Sequence, residues 1–578
     1  MVRTAQPLLA VCVAVALAAL PVRGESAWRT DAAAIAKLQG DMAYVLDAAS
    51  ESDLIPVTIV MRDQVPRHAI EQAVRTRDPK DRRATVVRLL RSLADRSQAD
   101  VLAVLRAEQR TGAVGRRIQA MWIANMVAAE VTPGLAYHIA ARGDVARLVH
   151  NSKLEILDDP AVEQGSIPNG GIECGVELMQ TPRVWNELGI TGKGALVAVA
   201  DTGTCHTHPD LIDHIWHNPG EIPDNGIDDD NNGYIDDIIG WNFEEKNNDP
   251  RDTTGHGTHT AGTVVGDGTE GTVTGMAPGA ALMVLRVGSQ AGFRPSDVWE
   301  AMQYAVTMNA HVINMSFGWM HSMNPPRATW REVSENTMAA GSGLVVGAGG
   351  GGNCCRPYDA VTTPGDVPDV ITVGASDCND IIASFSSRGP VTWQDVPPYN
   401  DWPWPPGKLK PTVCAPGVNT ISCRAIPCNG YTIMSGTSMA TPHVTGAVAL
   451  MIEADPNISP ERMKDILKRT SVDLGDPGPD NAHGAGRVDA YEAVLAAGGI
   501  NCDLIKKFKV KCKGGKLKVV IKSGLEKGVR LTVVDNGEQT VIRTNRKGKA
   551  NLKKKNQTGI HDVSIKECPE CSAQVDCG

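Results

Sequence analysis

From about residue 180 the chain alternates short apolar runs with longer stretches of helical spacing. ALVAVAD (195–201), LMVLRV (282–287), HVINMSFG (311–318) and GLVVGAG (343–349) read as strands, and the last two each follow a helical stretch. This alternation predicts an α/β domain over residues 179–498, a parallel sheet with helices on both faces. Functional groups in such open sheets gather at the carboxyl ends of the strands.

The pattern differs on either side. Residues 25–157 predict a small α+β module. Its elements are a strand at IPVTIVM (55–61), a long charged helix through TVVRLLRSLADRSQADVLAVLRAEQR, and a strand region at 117–131. A short helix follows, with Thr132 as its cap and Gly143 as its stop, and then a strand at VARLVH. Residues 158–178 are polar and turn-rich, which suits a cleavable linker. In residues 499–578, KFKVKC, KLKVVIK, RLTVVDNGEQTVI and DVSIKEC alternate apolar with polar positions, with a turn at Asn536-Gly537. They predict a small antiparallel β domain with lysines on its solvent face guarding its edges.

Composition sharpens this reading. Phe and Tyr are scarce while Gly, Ala and Val abound, which favours helices packed tightly on a buried parallel sheet over an all-β design. The net charge of -9 hides an asymmetry: from residue 500 onward there are 18 Lys and Arg against 8 Asp and Glu. No nucleic-acid motif accompanies the basic end, so no nucleic-acid partner is expected, and a solvated face is the plain reading. Residues 1–24 have the form of a secretion signal, with Arg3 ahead of the apolar run LLAVCVAVALAAL. That run is short for a membrane span and has no second candidate, so an exported protein with no membrane span after signal removal is expected. Fourteen cysteines in an exported chain predict disulfides, whose pairing the spacing leaves open.

Three small-residue islands carry the chemistry. VAVADTG surrounds Asp201, GHGTHTAG contains His256, and SGTSMATPH contains Ser438. A hydroxyl is a poor nucleophile at neutral pH. It needs an imidazole to take its proton and a carboxylate to hold that imidazole in the right tautomer. The helix expected to begin at the Ser438 string would set an amide and a positive dipole end beside a developing oxyanion. His259 and His443 read as structural. An H-x-x-H pair can hold zinc, but it lacks the Glu of a zinc protease here, and the CHTH cluster at 205–208 is no stronger. The G-x-S-x-G elbow of a lipase or esterase is missing. Gly347, Gly349 and Gly352 satisfy G-x-G-x-x-G, but NCCRPYDAVTTPG behind them is a poor helix, so no organic cofactor is expected.

The islands, in the chain order Asp, His, Ser, closely resemble the subtilisin-like serine proteases (subtilases) over roughly residues 180–495. The resemblance implies a secreted endopeptidase acting on protein or peptide substrates, with Asp201, His256 and Ser438 as its triad. It makes residues 25–157 an inhibitory, folding-assisting propeptide, and so a partner of the enzyme it precedes. It gives Ser316, Phe317 and Gly318 as one edge of the substrate site and Gly347, Ala348 and Gly349 as another wall. An Asn side chain completes the family's oxyanion hole. The direct register here places Gly350 at that position, and Asn353 lies three residues later. Either Asn353 fills the role across extra glycines or the donor is missing. The second case would leave a catalytically impaired subtilase-fold binding protein.

DNGIDDDNNGYIDDIIGWNF (224–243) stands apart as an acidic loop. Asp228, Asp230, Asn232, Gly233 and Asp236 match the opening of an oxygen-ligand calcium loop, although Ile239 replaces its closing Glu. Structural calcium held by Asp228, Asp230, Asn232 and Asp236 is the expectation, against a merely solvated loop.

Overall fold

The computed structural model describes residues 31–75, 79–154, 170–352, 358–498, 500, 502–525, 528–566 and 568–578. The signal segment 1–24, most of the expected linker and Asn353 lie outside the described residues.

The N-terminal module is a five-stranded sheet with helices on one face, while its helices Arg67–Val74 and Pro79–Ser97 join the core on the other face. Its strands are β1 (Leu38–Gln39), β2 (Ile55–Met61), β3 (Val114–Met121), β4 (Met126–Val131) and β5 (Val145–His150), in the order β1-β5-β2-β4-β3. Period-two alternation splits the apolar residues between two faces. Val57, Ile59, Met61, Val127 and Val131 pack on the module's own helices, while Val60, Met126, Ala128 and Val149 face the next domain.

That domain is built on seven parallel strands: β6 (Leu196–Asp201), β7 (Gly240–Asn242), β8 (Ala281–Arg286), β9 (Val312–Met315), β10 (Gly343–Gly347), β11 (Ile371–Ser376) and β12 (Val413–Pro416). Their order is β12-β11-β10-β9-β6-β8-β7. The connections run one way from β6 to β7 and β8 and the other way from β9 onward. The carboxyl end of β6 therefore opens at a topological switch point. Val197 and Val199 join one core with α1 (His256–Val265) and α4 (Thr437–Ala454). Ala198 and Ala200 face the opposite core with α2 (Pro295–Thr307) and α3 (Arg327–Ala339). The second core also takes in the outer face of the module's sheet, so α2 and α3 are sandwiched between two sheets.

Most ion pairs across this contact share one polarity. Arg67 meets Asp369, Arg82 meets Glu461, Arg117 meets Glu300, Arg147 meets Glu332 and Lys153 meets Glu244, each with the cation on the module, while Arg294 to Glu130 at 3.8 Å runs the other way. Residues 170–178, assigned to the linker by composition, belong instead to the folded body. Gly171–Ile172 pairs with Thr272–Val273, Val176 and Met179 enter the core, and Cys174 is bonded to Cys378.

The C-terminal strands are β13 (Lys507–Lys513), β14 (Lys516–Lys522), β15 (Arg530–Asp535), β16 (Glu538–Arg543), β17 (Lys549–Lys555), β18 (Ile560–Ile565) and β19 (Cys568–Asp576). They form sheets β13-β14-β17 and β16-β15-β18-β19 around a small core of Leu517, Val519, Ile521, Val533 and Ile565. Disulfides Cys502–Cys568 and Cys512–Cys577 close loops of 66 and 65 residues. Each is worth about 4 kcal/mol in chain entropy, which a core this small needs.

Candidate active site

Asp201 is the last residue of β6 and is fully buried. Its Oδ1 accepts the Thr202 amide at 2.7 Å and the His256 Nδ1–H at 2.6 Å. His256 opens α1, so its imidazole sits where the helix meets the sheet. Two glycines permit this approach. A Cβ on Gly257 would lie 2.1 Å from the Gly203 carbonyl oxygen, and one on Gly203, at φ +103°, would lie 2.4 Å from the Pro250 carbonyl oxygen. No side chain fits at either contact.

Asp252, which the sequence reading passed over, fastens this corner. Its Oδ1 accepts from Thr202 Oγ1 at 3.0 Å and from the Thr254 and Gly255 amides. Its Oδ2 accepts the amide and hydroxyl of Thr258. One buried carboxylate thus ties the turn after Asp201 to the start of the His256 helix. Such a group is legible only as a D-x-x-G-H string, which gives no hint of its second partner.

Ser438 is the second residue of the 18-residue helix α4 and is 7% exposed. Its hydroxyl donates to the Ser316 carbonyl at 2.7 Å. Ser316 directly follows β9, Gly347 ends β10, and β9 and β10 are parallel neighbours. The three islands and both expected substrate walls therefore meet at one end of the sheet. Gly318 and Gly349 both back onto Thr362, and Ala348 donates its amide to the Val373 carbonyl. Phe317 is buried edge-on to Phe293 and Trp319.

A further edge escaped the sequence reading. The hairpin Gly288–Ser289/Gly292–Phe293 lies beside Phe317, and Leu154 exchanges two 3.0 Å backbone hydrogen bonds with Phe293 in antiparallel register. The carbonyl of Leu154 also accepts from Trp319 Nε1 at 3.4 Å. Leu154, just past the module's last strand, thus pairs with this hairpin through a single antiparallel bridge.

The other histidines are structural in placement. His259 is buried and within 3.1 Å of the Thr420 carbonyl, and burial pushes its pKa down to about 3, so it stays neutral. His443 binds the Met439 carbonyl and Glu173. Cys205 is bonded to Cys428, which removes a thiolate from the CHTH cluster. Gly350 is exposed, and its neighbour Gly349 donates its amide to Thr437 Oγ1.

The acidic loop gathers two of its expected ligands with one more carboxylate. Carboxylate oxygens of Glu221, Asp228 and Asp230 lie within 4.8 Å of one another. Loop amides hold these groups and Asp236 alike: Asn232 and Gly233 donate to Asp228, Asp229 and Asp230 to Glu221, and Asn225 and Gly226 to Asp236. Asn232 Oδ1 accepts the Tyr234 amide.

The sequence profile of the subtilase family matches residues 192–486, which contain all three catalytic candidates. Bacillopeptidase F from Bacillus subtilis (strain 168) is 29% identical over 450 residues, covering 72% of this chain and 29% of its own length. The chain thus spans less than a third of that relative. Serine protease AprX from the same strain is 31% identical over 405 residues, covering 64% of this chain and 79% of its own. Subtilisin Savinase from Lederbergia lenta is 31% identical over 323 residues, covering 56% and 98%. No helix among the described residues is long and apolar enough to cross a membrane.

Proposed function

Because this chain belongs to the subtilase family and is a subtilisin-like serine endopeptidase, we propose that Ser438, His256 and Asp201 form its catalytic triad. The 2.6 Å contact of His256 Nδ1 with the buried Asp201 carboxylate carries this reading. It holds the imidazole with Nε2 as the proton acceptor and stabilises the imidazolium that forms. Ser438 Oγ attacks the scissile carbonyl while His256 takes its proton. The tetrahedral intermediate collapses as His256 protonates the leaving amine, and water then hydrolyses the acyl-enzyme by the same route reversed. The first turn of α4 offers backbone N–H groups and a positive dipole end to the oxyanion.

The chain is made as a zymogen. The N-terminal module shields α2 and α3 and threads Leu154 along Phe293 toward the site, as an inhibitory propeptide would. Maturation then cuts between about residues 155 and 170, because Cys174 and the residues around it are built into the catalytic body. The signal-like N-terminus and the disulfides agree with export to an oxidising compartment. The cluster of Glu221, Asp228 and Asp230 suits a hard, oxygen-seeking cation such as calcium.

Purified wild-type chain should cleave an unstructured protein substrate and release its own N-terminal module, with the new N-terminus before Gly170. Ser438→Ala should do neither. Cleavage that persists in Ser438→Ala removes the serine from the mechanism.

A further inference from the structure

The register of the C-terminal domain assembles a surface that alternation alone does not reveal. In β13-β14-β17, Lys507 opposes Lys522, Lys511 opposes Lys518 and Lys513 opposes Lys516. On the other side of β14, Lys516 opposes Lys555, Lys518 opposes Lys553 and Lys522 opposes Lys549. With Lys509 these make ten lysines among the twelve positions of one face, and all ten are exposed. The other two positions are Val520 and Asn551, so no acid, arginine or aromatic side chain stands among them. No ion pair joins any of the ten to a carboxylate among the described residues.

This arrangement works against folding. Like charges directly opposite on a sheet are destabilising, and six such pairs stack here. Lysines 507 and 511 lower the pKa of Lys509 between them. Edge protection does not account for the pattern, because β14 is the central strand and carries three of the ten. Nor is the domain short of acids. On the opposite face Lys554 lies 2.9 Å from Asp535 and 3.0 Å from Glu538.

We propose that this face docks the enzyme on an anionic lipid surface. Three strands of seven residues spread the charges over roughly 10 by 20 Å, a plane rather than a row. A partner whose own charges lie in a plane can meet all ten together. The face has no aromatic ring to stack on a base and no guanidinium to fork onto a fixed phosphate, so it reads charge density and not a particular chain. It has no large apolar side chain to insert, so docking is electrostatic, reversible and sensitive to salt. The catalytic domain would thereby be held at a surface while its cleft stays in solution.

The test uses the full chain carrying Ser438→Ala, which keeps it intact. It is sedimented with vesicles of phosphatidylcholine alone and with vesicles of phosphatidylcholine mixed with phosphatidylglycerol, at low and high salt. The expected result is binding to the mixed vesicles only, lost at high salt. Lys509→Gln, Lys511→Gln, Lys518→Gln and Lys553→Gln together should lower the partition coefficient by roughly several hundredfold. The same variant should melt no earlier than its parent, because it relieves opposed pairs, so lost binding would not reflect lost folding. Equal binding to both vesicles, binding to neither at low salt, or binding that survives the four substitutions overturns the proposal. So does retention on soluble heparin or duplex DNA without vesicle binding, which would make the partner a polyanionic chain.

Discussion

Replacing Arg147 by Ala should loosen the N-terminal module from the catalytic domain by a large and pH-dependent factor. Arg147 Nη2 reaches the Glu332 carboxylate at 2.5 Å and Thr329 Oγ1 at 3.1 Å, and the two charged side chains are only 8% and 12% exposed. Burial raises the Glu332 pKa even with the guanidinium in place to counter it. Removing Arg147 leaves that carboxylate buried without its cation, which costs about 3–5 kcal/mol. Expressed as inhibition of the processed enzyme by separately produced residues 25–157, this is a weakening of about 10²–10⁴-fold. The sign of the pH effect follows from where the proton is bound. In the docked variant Glu332 holds a proton more tightly than in the free enzyme, where it meets water. Docking therefore takes up a proton, and the deficit is full at high pH and shrinks as pH falls toward the ordinary glutamate range. Glu332→Gln added to Arg147→Ala should recover much of the loss, since the two sites are in contact. An inhibition constant changed by less than about fivefold would refute a buried, uncompensated charge. A deficit that widens in acid would refute the linkage.

Other outcomes follow from the same geometry. Asp201→Asn should lower kcat on the order of 10⁴-fold with little change in KM, because the imidazole loses the carboxylate that orients it, and progress curves on a peptide substrate would measure it. Gly257→Ala forces a methyl to within 2.1 Å of the Gly203 carbonyl. It should lower the melting temperature, with about 1–3 kcal/mol lost to strain, and cut activity by separating His256 from Asp201. Chelation of calcium should lower the melting temperature of the native chain. Asp228→Ala with Asp230→Ala should abolish that sensitivity, while Asp236→Ala should instead destabilise the chain with or without calcium, because Asp236 caps the Asn225 and Gly226 amides.

Much of the molecule was legible in local sequence. IPVTIVM is strand β2 at the residues its pattern named, and ALVAVAD ends at Asp201 on an interior strand of the parallel sheet. The helix starts after Thr132, whose side chain makes no capping hydrogen bond, and stops at Ala141, two residues before Gly143, with Arg142 already extended. What stayed hidden depends on contacts between distant residues. Nothing near Cys174 points to Cys378, and the polar stretch around it read as a linker because a disulfide can anchor a segment whose composition looks loose. The calcium-loop spacing gave no sign of Glu221, which folds back over Asp229 and Asp230 from outside the motif. Gly292 and Phe293 were invisible as an edge, since a two-residue strand has no periodicity to read. Alternation marked the tail's lysines as outward-facing, but only strand register stacks them row over row.

Labelling with a fluorophosphonate probe, followed by peptide mapping, tests the catalytic assignment most directly. A single adduct on Ser438, lost in Ser438→Ala and strongly slowed in Asp201→Asn, is the predicted result. An adduct on another residue, or undiminished labelling after Ser438→Ala, would contradict it.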